Sequence, residues 1–307
     1  MKWPEIISQY MDTPEGKTLS ANILKAKETA TISPELPLLF RSYSEKLCPF
    51  DSTKIVIVGT EPNADPAIAD GLCLSSRKSD YFLPETRIWY NWLKHACFPL
   101  MTIEQFKTEV ASSNMNHLAK QGIVFTNEYL STYSGRPGSH RNLGWHEFTQ
   151  HMLWQVSMFK QNQNQPVMFV FMGNESGLEK NIINDKGLHL VVNIADPRHE
   201  QKYAELDSTT KHLFIVMSNF IAEYYPEQAK SYRCTFEDAF DWNKVESIWR
   251  TFVGVNVIPM PAIPDGISNK MRDAIISMSD KFDFYGTAGE LYTPNVNFKV
   301  GINYLIN

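Results

Sequence analysis

Cysteine is scarce in this 307-residue chain, and its spacing excludes one class of site. The four cysteines are Cys48, Cys73, Cys97 and Cys234, and no two of them form a C-x-x-C pair. Structural zinc and iron–sulfur centres commonly use such short spacings to bring thiolates together. We therefore expect no metal site here, and free thiols in a reducing compartment.

An excess of positive charge is also missing. The chain has 29 Lys and Arg against 34 Asp and Glu, which gives a net charge of −5 and a pI of about 5.9. This balance argues against a generally basic protein that coats nucleic acid. DNA binding stays open, because a local positive strip and helix N-termini are enough to bind a few phosphates.

Long hydrophobic runs are absent as well. No apolar stretch reaches the length needed to cross a bilayer, and the first residues, MKWPEII, lack the apolar core of a signal peptide. Internal repeats and low-complexity segments are not visible. We expect no membrane association and an intracellular protein of the cytoplasm or nucleus.

Short β-branched and aromatic runs alternate with amphipathic segments along the chain. The predicted buried strands are residues 55–58, 122–127, 167–171 and 188–194. Helical patterns precede, separate and follow them, the clearest at residues 146–159 and 207–225. This alternation predicts an α/β sandwich with a largely parallel sheet.

The composition and the residue pattern of the sequence change after Trp242. Prolines at 259, 261 and 264 interrupt it, and the last residues, 296–306, alternate like a strand. We therefore predict a main domain at residues 1–242 and a C-terminal extension at residues 243–307, which offers a possible surface for a protein partner.

The most informative segment is residues 54–76, KIVIVGTEPNADPAIADGLCLSS. A buried strand stops at Gly59 and opens into a loop that is acidic and rich in proline. The polar side chains of this loop are Glu61, Asn63, Asp65 and Asp70. Enzymes with α/β folds often present their chemistry on such loops at the carboxyl end of a sheet.

This segment resembles the first active-site motif of the uracil-DNA glycosylases, of the family 1 type, over its whole length without a gap. Further segments resemble later motifs of that family in the same order: GIVFTN at 122–127, GSHRNLGWHEFT at 138–149, VMFVFMG at 167–173, LVVNIADPRH at 190–199 and FDW at 240–242. The resemblance implies a three-layer α/β/α sandwich around a mostly parallel four-stranded sheet. It also implies a monofunctional DNA glycosylase that acts in base-excision repair on a flipped-out base, with water as its only co-substrate and no cofactor.

The resemblance places two acidic residues at catalytic positions. Glu61 stands where the family has an aspartate that steadies the oxocarbenium-like sugar and positions water. Asp196 replaces a histidine that supports the charge on the departing base. An ionised aspartate would oppose that charge, and a protonated one would need a raised pKa. The neighbouring Arg198 and His199 offer a positive group instead.

Four positions fall in the implied base pocket. Asn127 matches the asparagine that forms hydrogen bonds with the pyrimidine edge, and its amide can both donate and accept. Asn63 replaces a tyrosine that blocks the thymine methyl group, which predicts tolerance of 5-substituted pyrimidines. Leu74 replaces the phenylalanine on which the base stacks, and stacking on an aromatic ring contributes about 1–3 kcal/mol. Thr60 lies beside them in the motif.

The implied DNA-binding residues are Ser75, Ser139, His140 and Arg198, with DNA as the partner in single- or double-stranded form. Glu200 lies near the place where the family inserts a leucine wedge, and an acid makes a poor wedge. A catalytically lapsed protein that binds DNA or a polymerase therefore remains an alternative. A weaker alternative is action on a free nucleotide or a hypermodified base.

Overall fold

A computed structural model describes residues 1–98, 101–173, 177–178, 182, 187–199 and 206–225 of the chain. Its helices are α1 (Trp3–Met11), α2 (Pro14–Thr29), α3 (Pro84–Cys97), α4 (Ile103–Glu109), α5 (Asn116–Ala119), α6 (Trp145–Asn162) and α7 (Ser208–Tyr224). Its strands are β1 (Ile32–Ser33), β2 (Ile55–Gly59), β3 (Ile123–Asn127), β4 (Thr132–Tyr133), β5 (Met168–Met172) and β6 (Leu190–Ile194). Short 3-10 turns lie at Leu36–Leu38, Arg41–Tyr43 and Phe50–Ser52.

The central sheet has four strands in the order β3-β2-β5-β6, and every neighbouring pair is parallel. Strands β2, β3 and β5 are buried along their whole length, which explains their continuous apolar runs. The small strands β1 and β4 form a separate antiparallel pair.

One face of the sheet carries the main hydrophobic core. Val56, Val58 and Phe169 point into it and meet large side chains of α1, α2 and α6. Trp3 of α1 and Phe148 of α6 are fully buried there. Helix α5 lies beside β3 away from this cluster.

Helix α2 begins as the sequence indicates. Thr13 is its N-cap and accepts a hydrogen bond from the Gly16 N–H, and Pro14 occupies the first helical position. A tight corner joins α1 to α2, because a Cβ at Gly16 would lie 2.1 Å from the Tyr10 carbonyl oxygen. This corner brings the end of α1 beside the first turn of α2.

The chain divides into two compact units. The first contains residues 1–89 and 112–210, and it includes the whole four-stranded sheet. The second contains residues 90–111 and 211–307, of which 90–98, 101–111 and 211–225 are described. Within the second unit, Phe106 packs against Tyr90 and Phe98 at ring distances of 6.0 and 5.6 Å.

The predicted α/β fold is confirmed, with a four-stranded parallel sheet flanked by helices. The fourth strand is shorter than predicted and begins at Leu190. The domain boundary at 242 and the extension at 243–307 lie outside the described residues and stay predictions. In the part that is described, no helix is both long and apolar enough to cross a membrane.

Candidate active site

The predicted site residues lie on loops that leave the carboxyl edge of the parallel sheet. Gly59, the last residue of β2, pairs with Asn127, the last residue of β3. Glu61 lies two residues beyond the end of β2, and Asp196 lies two residues beyond the end of β6. Open α/β sheets bind their ligands at this edge.

The carboxylate of Glu61 is buried and surrounded by donors. Its side chain is 6% exposed and accepts a short hydrogen bond from the backbone N–H of Gly138. Arg198 Nη1 lies 3.7 Å from Oε1, and Arg141 Nη2 lies 4.0 Å from the same oxygen. Two guanidinium groups therefore balance the charge of this carboxylate, and the loop at 138 fixes its position.

Asp196 and Arg198 form a close pair. The guanidinium donates from Nε to Oδ2 at 2.9 Å, and the Arg198 backbone N–H donates to Oδ1 at 2.8 Å. Burial alone would raise the pKa of Asp196, but these bonds from Arg198 outweigh it and hold the pKa below its ordinary value. Asp196 is therefore ionised near neutral pH, and a protonated donor at this position is not supported.

Arg198 joins both acidic residues at the site. Its Nε and Nη2 face Asp196, while Nη1 is the nitrogen nearest to Glu61. Since Nη1 donates no hydrogen bond within the described residues, its N–H groups are available to a ligand. Asp196 adds a negative charge to the sequence at this position, but Arg198 balances that charge. The same guanidinium also places Nη1 beside Glu61.

The amide of Asn127 lies against the backbone of Gly59. Asn127 is 3% exposed, and its side-chain amide has no hydrogen bond to any residue in the described ranges. A Cβ at position 59 would lie 2.7 Å from Asn127 Oδ1 and 3.2 Å from the Cβ of Cys73. Only glycine leaves space for the amide here.

Asn63 and Thr60 lie on the same loop, and both are half-buried. Asn63 Oδ1 accepts from the Asp65 N–H at 2.9 Å, and its carbonyl oxygen accepts from the hydroxyl of Ser33. The Thr60 carbonyl oxygen accepts from the Tyr129 N–H. Asn63 therefore stabilises its own loop, and its small side chain stands where the resemblance places a tyrosine.

Leu74 has an unusual backbone conformation. Its φ is +58°, a region that bulky residues rarely adopt, and its side chain is 4% exposed. Its carbonyl oxygen accepts from the buried Thr86 hydroxyl at 2.7 Å. Such strain costs on the order of 1–3 kcal/mol and persists where the surroundings impose it.

The predicted DNA contacts divide into exposed and buried side chains. Ser139 and Arg198 are exposed, and so is His199, which was predicted as a catalytic residue. Ser75 is 1% exposed, and its hydroxyl donates to Asp70 Oδ2 and accepts from the Met115 N–H. This hydroxyl holds the loop together and does not reach the surface, which corrects the predicted phosphate contact.

His140 is also buried, so its predicted contact with DNA needs the same correction. Its exposure is 1%, and Nδ1 shares a hydrogen bond with the hydroxyl of Ser131. Burial lowers the pKa of His140 to about 4, so the imidazole is neutral at pH 7. A neutral, enclosed ring positions the 131–145 loop but offers no charge to a phosphate.

Sequence reasoning missed three parts of the site. Arg141 and the Gly138 N–H lie inside a segment that was singled out only for Ser139 and His140. A cation in a glycine-rich loop could have indicated Arg141. Glu85, in the first turn of α3, is coupled to Arg198 and Asp196, and burial raises its pKa. No sequence signal indicates that these charges lie near one another.

The described residues contain no group of three or more His, Cys, Asp and Glu side chains that could hold a metal ion.

No family model matches the chain. Individual relatives do match it. The chain is 30% identical to uracil-DNA glycosylase 1 of Listeria innocua over 177 residues, which cover 57% of this chain and 72% of the relative. It is 31% identical to the uracil-DNA glycosylase of Wolinella succinogenes over 196 residues, covering 64% and 79%.

The chain belongs to the uracil-DNA glycosylase family. Its fold agrees with that assignment, since the crystal structure of mimivirus uracil-DNA glycosylase aligns with a TM-score of 0.53 at 18% identity. That alignment covers 64% of this chain and 67% of the viral protein. The predicted family and its enzyme class, the DNA N-glycosylases, are thereby confirmed. The roles of individual site residues stay predictions.

The close approach of Asn127 to Gly59 predicts an energetic coupling between them. Gly59→Ala should destabilise the protein by about 1–3 kcal/mol, because the new methyl group overlaps the amide. Adding Asn127→Ala should recover at least about 0.5 kcal/mol relative to the sum of the single changes. Urea unfolding of the four proteins measures this. Ala21→Ser, on the exposed side of α2, combined with Asn127→Ala should be additive, and additivity of the 59/127 pair would contradict the contact.

Arg198→Gln should raise the pKa of Asp196, because the hydrogen bonds and the charge of the guanidinium no longer oppose the effect of burial, while the backbone N–H at position 198 still donates. In the native protein the pair stabilises the fold above about pH 4, and this contribution is lost as the pH falls through the lowered pKa. The variant should lose about 1–3 kcal/mol at pH 7, less than a fully buried pair would. Carbon-13 NMR of the Asp196 carboxyl group measures both pKa values. Arg141→Gln should leave that pKa unchanged.

Proposed function

We propose that this protein is a monofunctional DNA glycosylase that hydrolyses the N-glycosidic bond of a flipped-out uracil or 5-substituted pyrimidine in DNA. One observation carries the proposal: a buried carboxylate, Glu61, is fixed between a backbone N–H and two guanidinium groups, on the loop that follows Gly59, the strand partner of Asn127. Membership of the uracil-DNA glycosylase family supports the reaction class and the DNA substrate.

The reaction begins with breakage of the bond between sugar C1′ and base N1. The bonding electrons leave with the base, which becomes an anion, and the sugar becomes an oxocarbenium-like cation. The Glu61 carboxylate stabilises this cation and orients a water molecule toward C1′. The water supplies a hydroxyl group to the sugar, and its proton neutralises the base.

Arg198 is suited to the charge on the departing base. Its Nη1 hydrogens are not used by Asp196, and a guanidinium stays charged at every working pH. The carboxylate of Asp196 fixes the plane of the guanidinium, so the donor is oriented before the bond breaks. In this proposal Asp196 is a positioning residue, and Arg198 takes the part of the family's histidine.

Asn127 recognises the pyrimidine edge. Its amide is buried and unbonded within the described residues, so it can accept from N3–H and donate to O4 of uracil. Leaving such a group without a ligand costs energy, and a matching base edge restores its hydrogen bonds. Leu74 forms an aliphatic wall for the base, and Thr60 lies beside it on the loop.

Ser139, Arg198 and His199 are the exposed residues that we propose for contact with DNA. A few such contacts fix the orientation of the duplex without reading its sequence. An additional protein partner through residues 243–307 also remains a proposal.

A non-catalytic DNA-binding role is the second candidate. The observation that favours it is Leu74. Its aliphatic side chain replaces the aromatic stacking surface of the family, which weakens the binding of a flipped base. Base release and DNA binding, measured on the same oligonucleotides, separate the two functions. Binding without release of any pyrimidine would support the second.

Glu61→Gln should reduce base release by at least about 100-fold, because the charge that stabilises the sugar cation is lost. The amide oxygen can still accept the Gly138 N–H, so folding and DNA binding should persist. Abasic sites are counted on oligonucleotides that contain uracil or 5-hydroxymethyluracil, under single-turnover conditions. Glu28→Gln, an exposed carboxylate on α2, should keep full activity. Unchanged release by Glu61→Gln would remove Glu61 from the mechanism.

Asn63→Tyr should shift the preference from 5-hydroxymethyluracil toward uracil by about 10-fold or more, because a bulky ring then occupies the space beside C5. The ratio of the two release rates measures this in a single competition assay. Asn63→Ala is the matched control, since it also loses the bond to Asp65 but adds no bulk. An equal shift in both variants would mean that loop order, not size, sets the preference.

A further inference from the structure

A cavity of about 510 Å³ lies where α1, α2 and α6 meet, and the proposed function does not use it. Its lining includes Tyr10 of α1, Glu15 and Asn22 of α2, Glu147 of α6 and Arg141 of the preceding loop. This volume is ample for a small ligand or for one long side chain.

The hydroxyl of Tyr10 is the unusual group in this cavity. Tyr10 is 6% exposed, and its hydroxyl oxygen is buried with no hydrogen-bond partner in the described part of the chain. Burial, with the nearby carboxylates of Glu147 and Glu15, raises the pKa of Tyr10 to about 12, so the phenol stays protonated. A buried hydroxyl without a partner is rare and calls for a ligand or a water molecule.

Two exposed carboxylates, those of Glu15 and Glu147, line the same cavity near Tyr10 and are also unused. Glu15 lies in the first turn of α2 and Glu147 in the first turn of α6. Neither makes a hydrogen bond or ion pair with another described residue. The lining also contains one cation, Arg141, whose guanidinium lies 4.0 Å from Glu61 and 5.8 Å from the centre of the Tyr129 ring.

We propose that this cavity binds an organic cation: a primary ammonium or guanidinium group on a flexible chain, as in a polyamine or in a lysine or arginine side chain. An ammonium group has three donors and no acceptor. The carboxylates of Glu15 and Glu147 and the oxygen of Tyr10 supply three acceptors. An anion would be repelled by the two carboxylates, and a calcium ion would need six to eight oxygen ligands.

The test is a titration of the full chain with spermidine at low salt, followed by proton–nitrogen NMR. The backbone amide of Gly144 and the side-chain amide of Asn22 should shift with saturation. Added salt should weaken binding, because it screens charges that remain partly exposed. Calcium ions should cause no comparable shift. Saturable binding of calcium without binding of spermidine would overturn the proposal.

Two variants locate the site. Tyr10→Phe and Glu147→Gln should each weaken spermidine binding by about 3- to 10-fold, through loss of one hydrogen bond to a charged group. The control Glu28→Gln should bind like the native protein. Tyr10→Phe should keep the native melting temperature, because the deleted hydroxyl has no hydrogen-bond partner among the described residues. Native-like affinity in both Tyr10→Phe and Glu147→Gln would overturn the proposal.

A second pair of probes identifies the source of the cation. A capped Gly-Lys-Gly peptide that binds more tightly than spermidine would indicate a protein segment, and the reverse would indicate a polyamine. The same peptide with Nε-acetyl-lysine should not bind, and equal binding would contradict a cation site. Glu61→Gln should bind both probes normally, so this test does not depend on the glycosylase proposal.

Discussion

The carboxylate of Glu61 connects three loops that are distant in sequence. It belongs to the loop after β2, accepts from the backbone at Gly138 and lies near Arg198 after β6. A buried carboxylate is stable only when donors and opposite charges surround it. The position of each loop is therefore a condition for the others, and the site forms as one unit at the edge of the sheet.

Charge balance explains how an acid can replace a histidine in this family. In the proposed mechanism Asp196 adds a negative charge beside a leaving group that also becomes negative, which taken alone would oppose the reaction. The bonds from Arg198 neutralise it and leave a guanidinium nitrogen near Glu61. In the proposed mechanism the two residues act as a pair, and removing Arg198 would leave the buried carboxylate of Asp196 without its cation.

Much of the fold could be predicted from the sequence because the signals are local. Apolar runs at 55–58 and 167–171 follow from burial on both faces of a parallel sheet, and Thr13-Pro14 marks a helix start by its own chemistry. Family motifs then placed Glu61 and Asn127 at the same edge of the sheet.

The rest of the site depends on packing that the sequence does not reveal. Ser75 and His140 are polar residues in promising motifs, yet both are buried and bonded to neighbouring loops. The charge state of Asp196 follows from a contact with Arg198, and spacing alone allows but does not require that contact. Arg141 gains its importance only from the fold of the 138–144 loop.

The backbone strain at Leu74 bears directly on the proposed function of the site. A leucine at φ +58° is held there by its surroundings, including the bond from Thr86, since glycine would adopt that conformation without strain. The side chain that this conformation holds lies on the loop that carries Glu61, at the position of the family's base-stacking residue. If base release is found, the strained backbone sets the shape of the pocket, and an aliphatic wall tolerates a substituted pyrimidine that a flat aromatic surface and a neighbouring tyrosine would exclude. If DNA is bound without release, the same wall explains why a flipped base is held too weakly for the reaction.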